Sequence, residues 1–398
     1  MGGTIGILHL GKYYPPEPGG MEYVVKSLAE ATRSELNHYC LVAAKAGETR
    51  VENPANGITV HYLKERGTLL LTPVLPSLPF VLHRLRMTMR PSVIVLHYPN
   101  PMAIVAVFLS LLLASKREAL VMWHHADVIF EERWKRFLYA LFRPIEEFVF
   151  RRADAFVAAT PHHVRESAIL RRFKNRAFTI PFAVPDAWFD ASPEEEAAGA
   201  KVRARLGGRF LLFVGRFVPY KGLDTLLAAA GSIDARIVLV GTGPLEGYLR
   251  REIVAKGLAE KVSLSGNVED LRPWYLGCEF LVLPSNSALE AFGIVQIEAM
   301  ALGKPVVSSD LPTGVTYVNR NGKTGLTFHV GDDAGLAEAC NRLLSDTILR
   351  GRLGENARRR TFEKFSYTAM REAAVPFFRR LCGGNGMKNG GNGFGGAR

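Results

Sequence analysis

Two acids with seven residues between them frame the stretch Glu290-Ala291-Phe292-Gly293-Ile294-Val295-Gln296-Ile297-Glu298. It follows an apolar run ending Leu283-Pro-Ser and opens a helix whose apolar face is Ile294, Ile297, Met300 and Ala301. The first amides of a helix lack intrahelical partners and sit at its positive end, so Phe292, Gly293 and Ile294 are placed to meet an anion. Gly293 lets a ligand approach that backbone closely. Acids on either side of bound phosphates would accept hydrogen bonds from sugar hydroxyls. The same spacing also suits a plain first-turn acid at Glu290 and a solvated helix residue at Glu298.

Cations occur in a complementary place. Phe213-Val-Gly-Arg216-Phe-Val-Pro-Tyr-Lys221-Gly222 closes an apolar strand and runs into a loop. Arginine forks two phosphate oxygens and lysine adds a point charge, a combination suited to a diphosphate. The alternative is a pair of surface cations. Gly11-Lys-Tyr-Tyr-Pro-Pro-Glu-Pro-Gly19-Gly20-Met-Glu22 joins another strand to a helix and offers backbone donors at Gly19 and Gly20. The spacing G-x-G-x-x-G is missing there, and Gly241-Thr-Gly243-Pro-Leu-Glu-Gly247 is out of register for it, which argues against a dinucleotide site. Trp123-His124-His125-Ala-Asp127 ends a further strand. Adjacent strand residues point to opposite faces, so one histidine would face a ligand while the other packs. Adjacent histidines without a third ligand at a standard spacing make a poor metal site, and no metal is expected.

These motifs need strands to end them and helices to follow them. Apolar runs are expected as strands over Thr4–Leu10, His38–Val42, Ile58–Leu63, Val93–His97, Leu120–His124, Ala155–Ala158 and Phe178–Ile180. Helical patterns between them fall near Gly20–Glu35, Leu78–Arg90, Pro101–Ser115, Glu131–Arg152 and His162–Arg172. The second half repeats the alternation, with strands at Phe210–Gly215, Arg236–Val240, Val262–Leu264, Glu279–Leu283, Pro305–Ser308 and Gly325–Phe328. Its helices fall near Leu223–Ala230, Pro244–Lys256, Leu271–Leu276, Phe292–Leu302, Asp333–Ser345 and Ile348–Lys364. Strand–helix alternation with fully apolar strands means parallel sheets covered on both faces. The expected class is α/β, two doubly wound Rossmann-like domains facing across a cleft, with ligands outside the carboxyl ends of the strands. The expected boundaries are 1–187 for an acceptor-binding domain, 188–365 for a nucleotide-sugar-binding domain, 366–382 for a helix crossing back, and 383–398 for a disordered Gly/Asn-rich tail.

The chain has 398 residues, enough for about two domains of ordinary size. Apolar residues make up 48% and charged residues 22%, which excludes a disordered chain. Cys40, Cys278, Cys340 and Cys382 lie far apart, which excludes a zinc ribbon and a disulfide scaffold and fits a reducing compartment. The net charge is +12, and Arg133 to Arg176 holds 11 bases against 4 acids. That pattern suits phosphate ligands or an anionic lipid surface, or an ordinary solvated helix face. No basic tract with interleaved aromatics points to nucleic acid. The N-terminus lacks the basic region and cleavage site of a signal peptide. The apolar run Ala103–Ala114 is shorter than the about 20 residues of a membrane span and reads as a buried helix. Thr68–Leu82 is broken by Pro73, Pro76 and Pro79, so it is not expected as a regular helix; it reads as a packed loop or one touching lipid.

Taken in order, the Gly19-Gly20 loop, His125, Gly215-Arg216 with Lys221, Glu290 and Glu298 in E-x7-E spacing, and Gly322-Lys-Thr-Gly325-Leu resemble the retaining glycosyltransferases of family four, from Thr4 to about Phe378. The resemblance implies the GT-B fold and a nucleotide sugar held by the C-terminal domain. It places Arg216 and Lys221 on the diphosphate, Glu290 on the donor sugar's hydroxyls and Glu298 on the ribose. The amides from Ala291 and Phe292 through Gly293 and Ile294 to Val295 would cradle sugar and phosphate. His125, in His125-Ala-Asp127, would contact the sugar near its anomeric carbon, and Gly19 and Gly20 would line the phosphates. His125, Glu290, Arg216 and Lys221 are thus the expected catalytic set, with no cofactor. Tyr13-Tyr-Pro-Pro16 and Arg143-Pro144 are similar to bacterial transferases that build lipid-linked polysaccharide repeats, many of which use GDP-mannose. Pro181-Phe-Ala183-Val184-Pro185 departs from the P-x-G-I/V-D of many relatives.

The resemblance therefore implies a metal-independent hexosyltransferase acting on a glycan or lipid-linked acceptor. It would lie peripherally on the cytoplasmic face of the inner membrane, through Arg84, Arg86, Arg90, Lys116 and Arg117. A UDP-sugar donor, glucose or N-acetylglucosamine, is the alternative. An epimerase would need carboxylates at the strand ends of the first domain, and an inactive binding protein would have lost one of the four catalytic residues.

Overall fold

The apolar runs Val93–Tyr98, Ala155–Ala158, Phe210–Val214 and Val306–Ser309 are buried on both faces, which puts them inside parallel sheets. The computed structural model describes residues 5–17, 19–45, 47–53, 57–69, 72–113, 118–128 and 132–383. Two units divide the chain: one runs to Phe182 and resumes at Met370, the other is Ala183–Ala369. The first contains β1 (Ile5–Leu10), α1 (Gly20–Thr32), β2 (Leu36–Ala44), β3 (Arg50–Glu52), β4 (Ile58–Lys64), β5 (Thr68–Leu69), β6 (Thr72–Pro73), α2 (Leu78–Thr88), β7 (Val93–Tyr98), α3 (Pro101–Leu113), β8 (Ala119–His124), α4 (Arg133–Arg152), β9 (Ala155–Ala158), α5 (Pro161–Glu166), α6 (Ala168–Arg172) and β10 (Ala177–Thr179). Among the described residues its main sheet has the order β10-β9-β8-β7-β1-β2-β4-β3, and β3 alone pairs antiparallel.

The second unit contains α7 (Pro193–Arg205), β11 (Phe210–Val214), α8 (Leu223–Ala230), β12 (Arg236–Val240), α9 (Glu246–Ala255), β13 (Val262–Gly266), α10 (Arg272–Gly277), β14 (Leu281–Leu283), α11 (Ile294–Ala301), β15 (Val306–Ser309), α12 (Gly314–Val318), β16 (Gly325–Phe328), α13 (Asp333–Ser345) and α14 (Thr347–Phe365). Its sheet is parallel in the order β13-β12-β11-β14-β15-β16. Helix α15 (Tyr367–Cys382) starts in this unit and ends in the first. In each sheet the strand order reverses at one place, between β1 and β7 and between β11 and β14. At such a point the loops leave in opposite directions and open a crevice at the carboxyl ends.

The unit boundary lies between Phe182 and Ala183 rather than at 187/188. Val184 pairs with Ser366 as an isolated bridge, and its backbone amide donates to Phe365, so the chain from Ala183 on is held in the second unit. The helix expected over His162–Arg172 is two helices. Ser167 leaves the helical region because its hydroxyl donates to Asp127 at 2.7 Å while it caps α6 at the amide of Leu170. The strand β3 and the small β5–β6 hairpin have no counterpart in the apolar pattern; β3 is exposed throughout. Helix α2 begins inside the proline-broken stretch, with Pro79 in its first turn, where a missing amide costs nothing. Arg86, expected among the bases that meet a membrane surface, is 3% exposed and cannot do so: it donates to the Ser110 carbonyl at 2.8 Å and is ion-paired with Glu118, tying α2 to α3. Lys116, Arg117 and the tail residues 384–398 lie outside the described residues.

One feature of the first sheet is polar and buried. His38 on β2, His9 on β1, His97 on β7 and His125 just past β8 belong to four strands that are neighbours in the sheet. Their rings link nitrogen to nitrogen: His38 Nδ1 to His9 Nε2, His9 Nδ1 to His97 Nε2, and His97 Nδ1 to His125 Nε2, each at 3.0 Å. Thr32, the last residue of α1, closes the chain at His38 Nε2, 2.8 Å away. Burial pushes His9 and His97 well below the ordinary imidazole value and His38 down to about 3.

An unfolded histidine titrates near pH 6.5, so between there and about pH 3 the unfolded chain binds protons that the native rings refuse. Stability is therefore fully present above about pH 6.5 and is lost as pH falls below it, by at most about 1.4 kcal/mol per pH unit for each buried ring. Urea midpoints measured from pH 7 to 5 should fall with this slope. His38→Gln should lower the midpoint at pH 7 yet flatten the slope; an unchanged slope would show that the rings do not titrate with unfolding.

Candidate donor-binding site

At the reversal point of the second sheet, the loops after β11 and β14 touch. Gly222 takes a left-handed φ of 65° at the start of α8, and a Cβ there would lie 1.9 Å from the Pro284 carbonyl oxygen. No side chain fits, and the two loops meet backbone to backbone, with the Asn286 amide donating to Tyr220 at 2.9 Å. This contact carries Lys221 to the acid that the sequence places sixty-nine residues away: Nζ donates to Glu290 Oε2 at 2.6 Å. Both side chains are buried, Lys221 at 8% exposure and Glu290 at 7%. Burial opposes the lysine's charge, but the Glu290 carboxylate outweighs it and holds its pKa above the ordinary value.

Glu290 is fixed from other sides as well. Ser285 Oγ donates to Oε2 at 2.8 Å, and Thr313 Oγ1 donates to the Glu290 carbonyl at 2.8 Å. The Gly314 amide holds the next carbonyl, of Ala291, at 2.8 Å, where a Cβ on Gly314 would stand 2.4 Å from that oxygen. Oε1 of Glu290 makes no hydrogen bond among the described residues, so one carboxylate oxygen is clamped and one is available to accept from a ligand. Arg216, in the same loop as Lys221, is exposed; its carbonyl accepts from the Val218 amide at 3.0 Å, while its guanidinium makes no hydrogen bond or ion pair among the described residues.

Gly293 caps α11 with a left-handed φ of 73°, and a Cβ would meet Leu283 at 2.8 Å and Gln296 at 2.9 Å. Ile294 and Val295 form the first turn of that helix, and the Phe292 ring is buried edge-on against Phe365. Glu298 sits one turn further along, 9% exposed. The Tyr275 hydroxyl donates to its Oε2 at 2.6 Å, and burial raises the carboxyl's pKa. The fold thus brings Lys221, Glu290, the α11 N-terminus and Glu298 into one unit, with Arg216 at its edge. Ser285, Thr313, Gly314 and Tyr275 went unnoticed in the sequence, since each acts through a loop or helix that carries no signal of its own. The segment Gly322–Gly325 serves the scaffold: a Cβ on Gly325 would be 2.0 Å from the Val306 carbonyl, and Asn319 Nδ2 joins that carbonyl at 3.1 Å to Ser308 at 2.9 Å.

In the first unit, His124 and His125 do part to opposite faces. His124 is buried against His163 and Asp127, at 3.1 and 3.0 Å, and His125 turns to His97 and stacks on Phe182. Asp127 therefore serves His124 and Ser167, not His125. Burial holds His125 down at about 3, with His124, His163 and Lys12 adding to the effect. Gly19 and Gly20 begin α1 as expected, but the Glu22 carboxylate stands against Gly19, where a Cβ would lie 2.0 Å from Oε2. That helix N-terminus already faces an acid of its own, whose pKa burial raises. Among the described residues no three His, Cys, Asp or Glu side chains are arranged so as to hold a metal ion.

Residues 194–360 match the family described as glycosyl transferases group 1, and residues 19–183 match the glycosyl transferase 4-like domain. The chain is 30% identical over 385 residues to the O-antigen chain mannosyltransferase C of Escherichia coli, covering 94% of this chain and 98% of that one. It is 30% identical to the D-rhamnosyltransferase WbpZ of Pseudomonas aeruginosa, covering 90% of this chain and 92% of the relative. Sucrose-phosphate synthase from Thermosynechococcus elongatus superposes with a TM-score of 0.78 at 22% identity, over 95% of this chain and 99% of that one. Anabaena HepE in complex with UDP-glucose gives 0.75 at 20% identity, over 94% and 100%. With two doubly wound units of this topology, the two family matches and relatives aligned over nearly their whole length, the chain belongs to the family-four, group 1 glycosyltransferases of the GT-B fold.

Proposed function

We propose that the protein is a retaining, metal-independent hexosyltransferase that moves mannose from GDP-mannose to a glycan or lipid-linked saccharide in the assembly of a bacterial surface polysaccharide. The observation that carries this reading is the clamp at the reversal point of the second sheet: Glu290 held by Lys221 and Ser285, with Arg216 unpaired beside it. The choice of mannose and of a polysaccharide product is supported by the O-antigen mannosyltransferase, which aligns over 94% of the chain. In this reading Arg216, Lys221 and the amides from Ala291 to Val295 receive the diphosphate, Oε1 of Glu290 accepts from a sugar hydroxyl, and Glu298 takes the ribose. His125 and the Gly19-Gly20 loop are assigned to the sugar and phosphates from the first unit.

The chemistry follows from charge. As the anomeric carbon–phosphate bond breaks, negative charge grows on the diphosphate and is met by Arg216, Lys221 and the positive end of α11. The acceptor hydroxyl attacks the face that the phosphate leaves. Its oxygen forms the new bond to the anomeric carbon, and its proton passes to the departing phosphate oxygen, so no enzymic base is required. The acceptor is assigned to the first unit. There a cavity of about 950 Å³ is lined by Arg136, Tyr139, Arg143 and Arg172.

Membrane docking is placed on α4 and not on the Arg86 region. Trp134, Phe137, Leu138 and Leu141 are 56, 65, 47 and 63% exposed and recur at helical spacing, with Arg133 and Arg136 beside them. Aromatic and aliphatic side chains flanked by bases suit the interface of an anionic bilayer. No helix among the described residues is long and apolar enough to cross a membrane.

Nucleotide release from GDP-mannose, UDP-glucose and UDP-N-acetylglucosamine should be fastest with GDP-mannose and should persist in EDTA; loss in EDTA restored by magnesium or manganese refutes the metal-free reading. Arg216→Ala should cost roughly 2–4 kcal/mol in kcat/KM, as loss of a preorganised charge partner does, at an unchanged melting temperature. Lys221→Ala should lower both activity and melting temperature, because it strands a buried carboxylate. Near wild-type turnover in both variants would remove the diphosphate assignment. Co-sedimentation with anionic vesicles should fall as salt rises and in Trp134→Glu/Phe137→Glu, with nucleotide release in solution retained; wild-type protein that stays in the supernatant at low salt would exclude the docking face.

A further inference from the structure

The four-histidine chain ends on a group that has no choice of direction. Thr32 Oγ1 lies 2.7 Å from the Leu28 carbonyl, which can only accept, so the hydroxyl proton is committed there. The oxygen must then accept from His38, which places the His38 proton on Nε2. A neutral ring protonated on Nε2 leaves Nδ1 bare, and His38 Nδ1 accepts from His9 Nε2. The same logic passes along the sheet. His9 Nδ1 accepts from His97 Nε2, and His97 Nδ1 accepts from His125 Nε2. Thr32, His38, His9 and His97 are all 2% exposed or less, so water does not compete for any of these bonds.

We propose that Thr32, His38, His9 and His97 are positioning residues that lock His125 as a neutral imidazole with its proton on Nε2, presenting Nδ1 as a bare acceptor. The chain is a clamp and not a proton wire. A proton taken up at Nδ1 of His125 would have to settle on a buried ring, and the far end offers only the Leu28 carbonyl. The acid of this region, Asp127, is bonded to His124. The other titratable groups that bear on His125 are His124, His163 and Lys12, and each opposes a positive charge on it. His125 thus stays uncharged while positive charge develops on a sugar, and its lone pair is fixed in direction. The assignment of His125 to the sugar rests on the function proposed above; the tautomer does not.

The test uses the full chain labelled with ¹⁵N-histidine, whose long-range proton–nitrogen correlations report which ring nitrogen carries the proton. At neutral pH the wild type should show His38, His9, His97 and His125 protonated on Nε2 only. Thr32→Val keeps the shape and removes the hydroxyl; it should mix the tautomers along the chain and lower kcat for sugar transfer by roughly tenfold. Thr32→Ser restores the hydroxyl and should restore both. A wild-type His125 that is charged or protonated on Nδ1 overturns the proposal, and this spectrum decides even where the valine variant does not fold. Thr32→Val spectra identical to wild type overturn it too, as does a serine variant as impaired as the valine one, which would mean packing alone. A wild type that turns over no nucleotide sugar refutes the proposed function and leaves the spectra to decide the lock.

Discussion

The ion pair between Lys221 and Glu290 is the constraint around which the second unit's site is arranged. A buried charge without a partner costs several kcal/mol, so neither residue tolerates its place alone. Meeting requires the loop after β11 to touch the loop after β14, and Gly222 against the Pro284 carbonyl is what permits the approach. Ser285 and Thr313 then remove the remaining freedom of Glu290, one at the side chain and one at the backbone. The pair is close to neutral as a unit, so in the proposed function its contribution to the donor's diphosphate would be geometric. Net attraction would be left to Arg216, whose side chain nothing holds, and to the open end of α11. Rigidity and charge are thus supplied by different residues, and the acid keeps one oxygen in reserve.

The first unit meets the same demand, a fixed polar group at the carboxyl end of a parallel sheet, without charge. Its four rings span neighbouring strands, and because neutral imidazole is both donor and acceptor, each satisfies the next. Ion pairing would have required acids in the middle of the sheet, where none occurs: the Asp127 carboxylate lies on the other face with His124, Ser167 and the amide of Ala168. Two adjacent residues, His124 and His125, therefore live in different electrostatic settings, one against an acid and one against other neutral rings. The alternation of a β-strand produces that separation at no cost in chain length.

Basic residues illustrate how little a tally of charge says about a surface. Arg86 belongs to the same run of cations as Arg84 and Arg90, yet it is sealed between α2, α3 and Glu118. Hydrophobic residues give the converse case in α4, where a stripe of aromatic and aliphatic side chains faces outward. Neither could be told from composition, because a helix pattern states which residues share a face and not which face the rest of the protein covers.

The sequence by itself determined the alternation of strands and helices, the α/β class and nearly every element to within a few residues, because those follow from the period of apolar side chains among near neighbours. It also placed Arg216, Lys221, Glu290 and the Gly293 turn at strand ends, since glycines and charges there interrupt the apolar period. What it left open was settled by topology. The split of α5 from α6 came from Asp127, forty residues before Ser167. The Lys221–Glu290 pair spans sixty-nine residues and the His9–His97 bond eighty-eight. Such pairings depend on which strands become neighbours at the sheet's reversal point, and no local periodicity carries that order. Only the assembled sheet, by setting β1 beside β7 and β11 beside β14, turned scattered histidines and a distant lysine and acid into bonded groups.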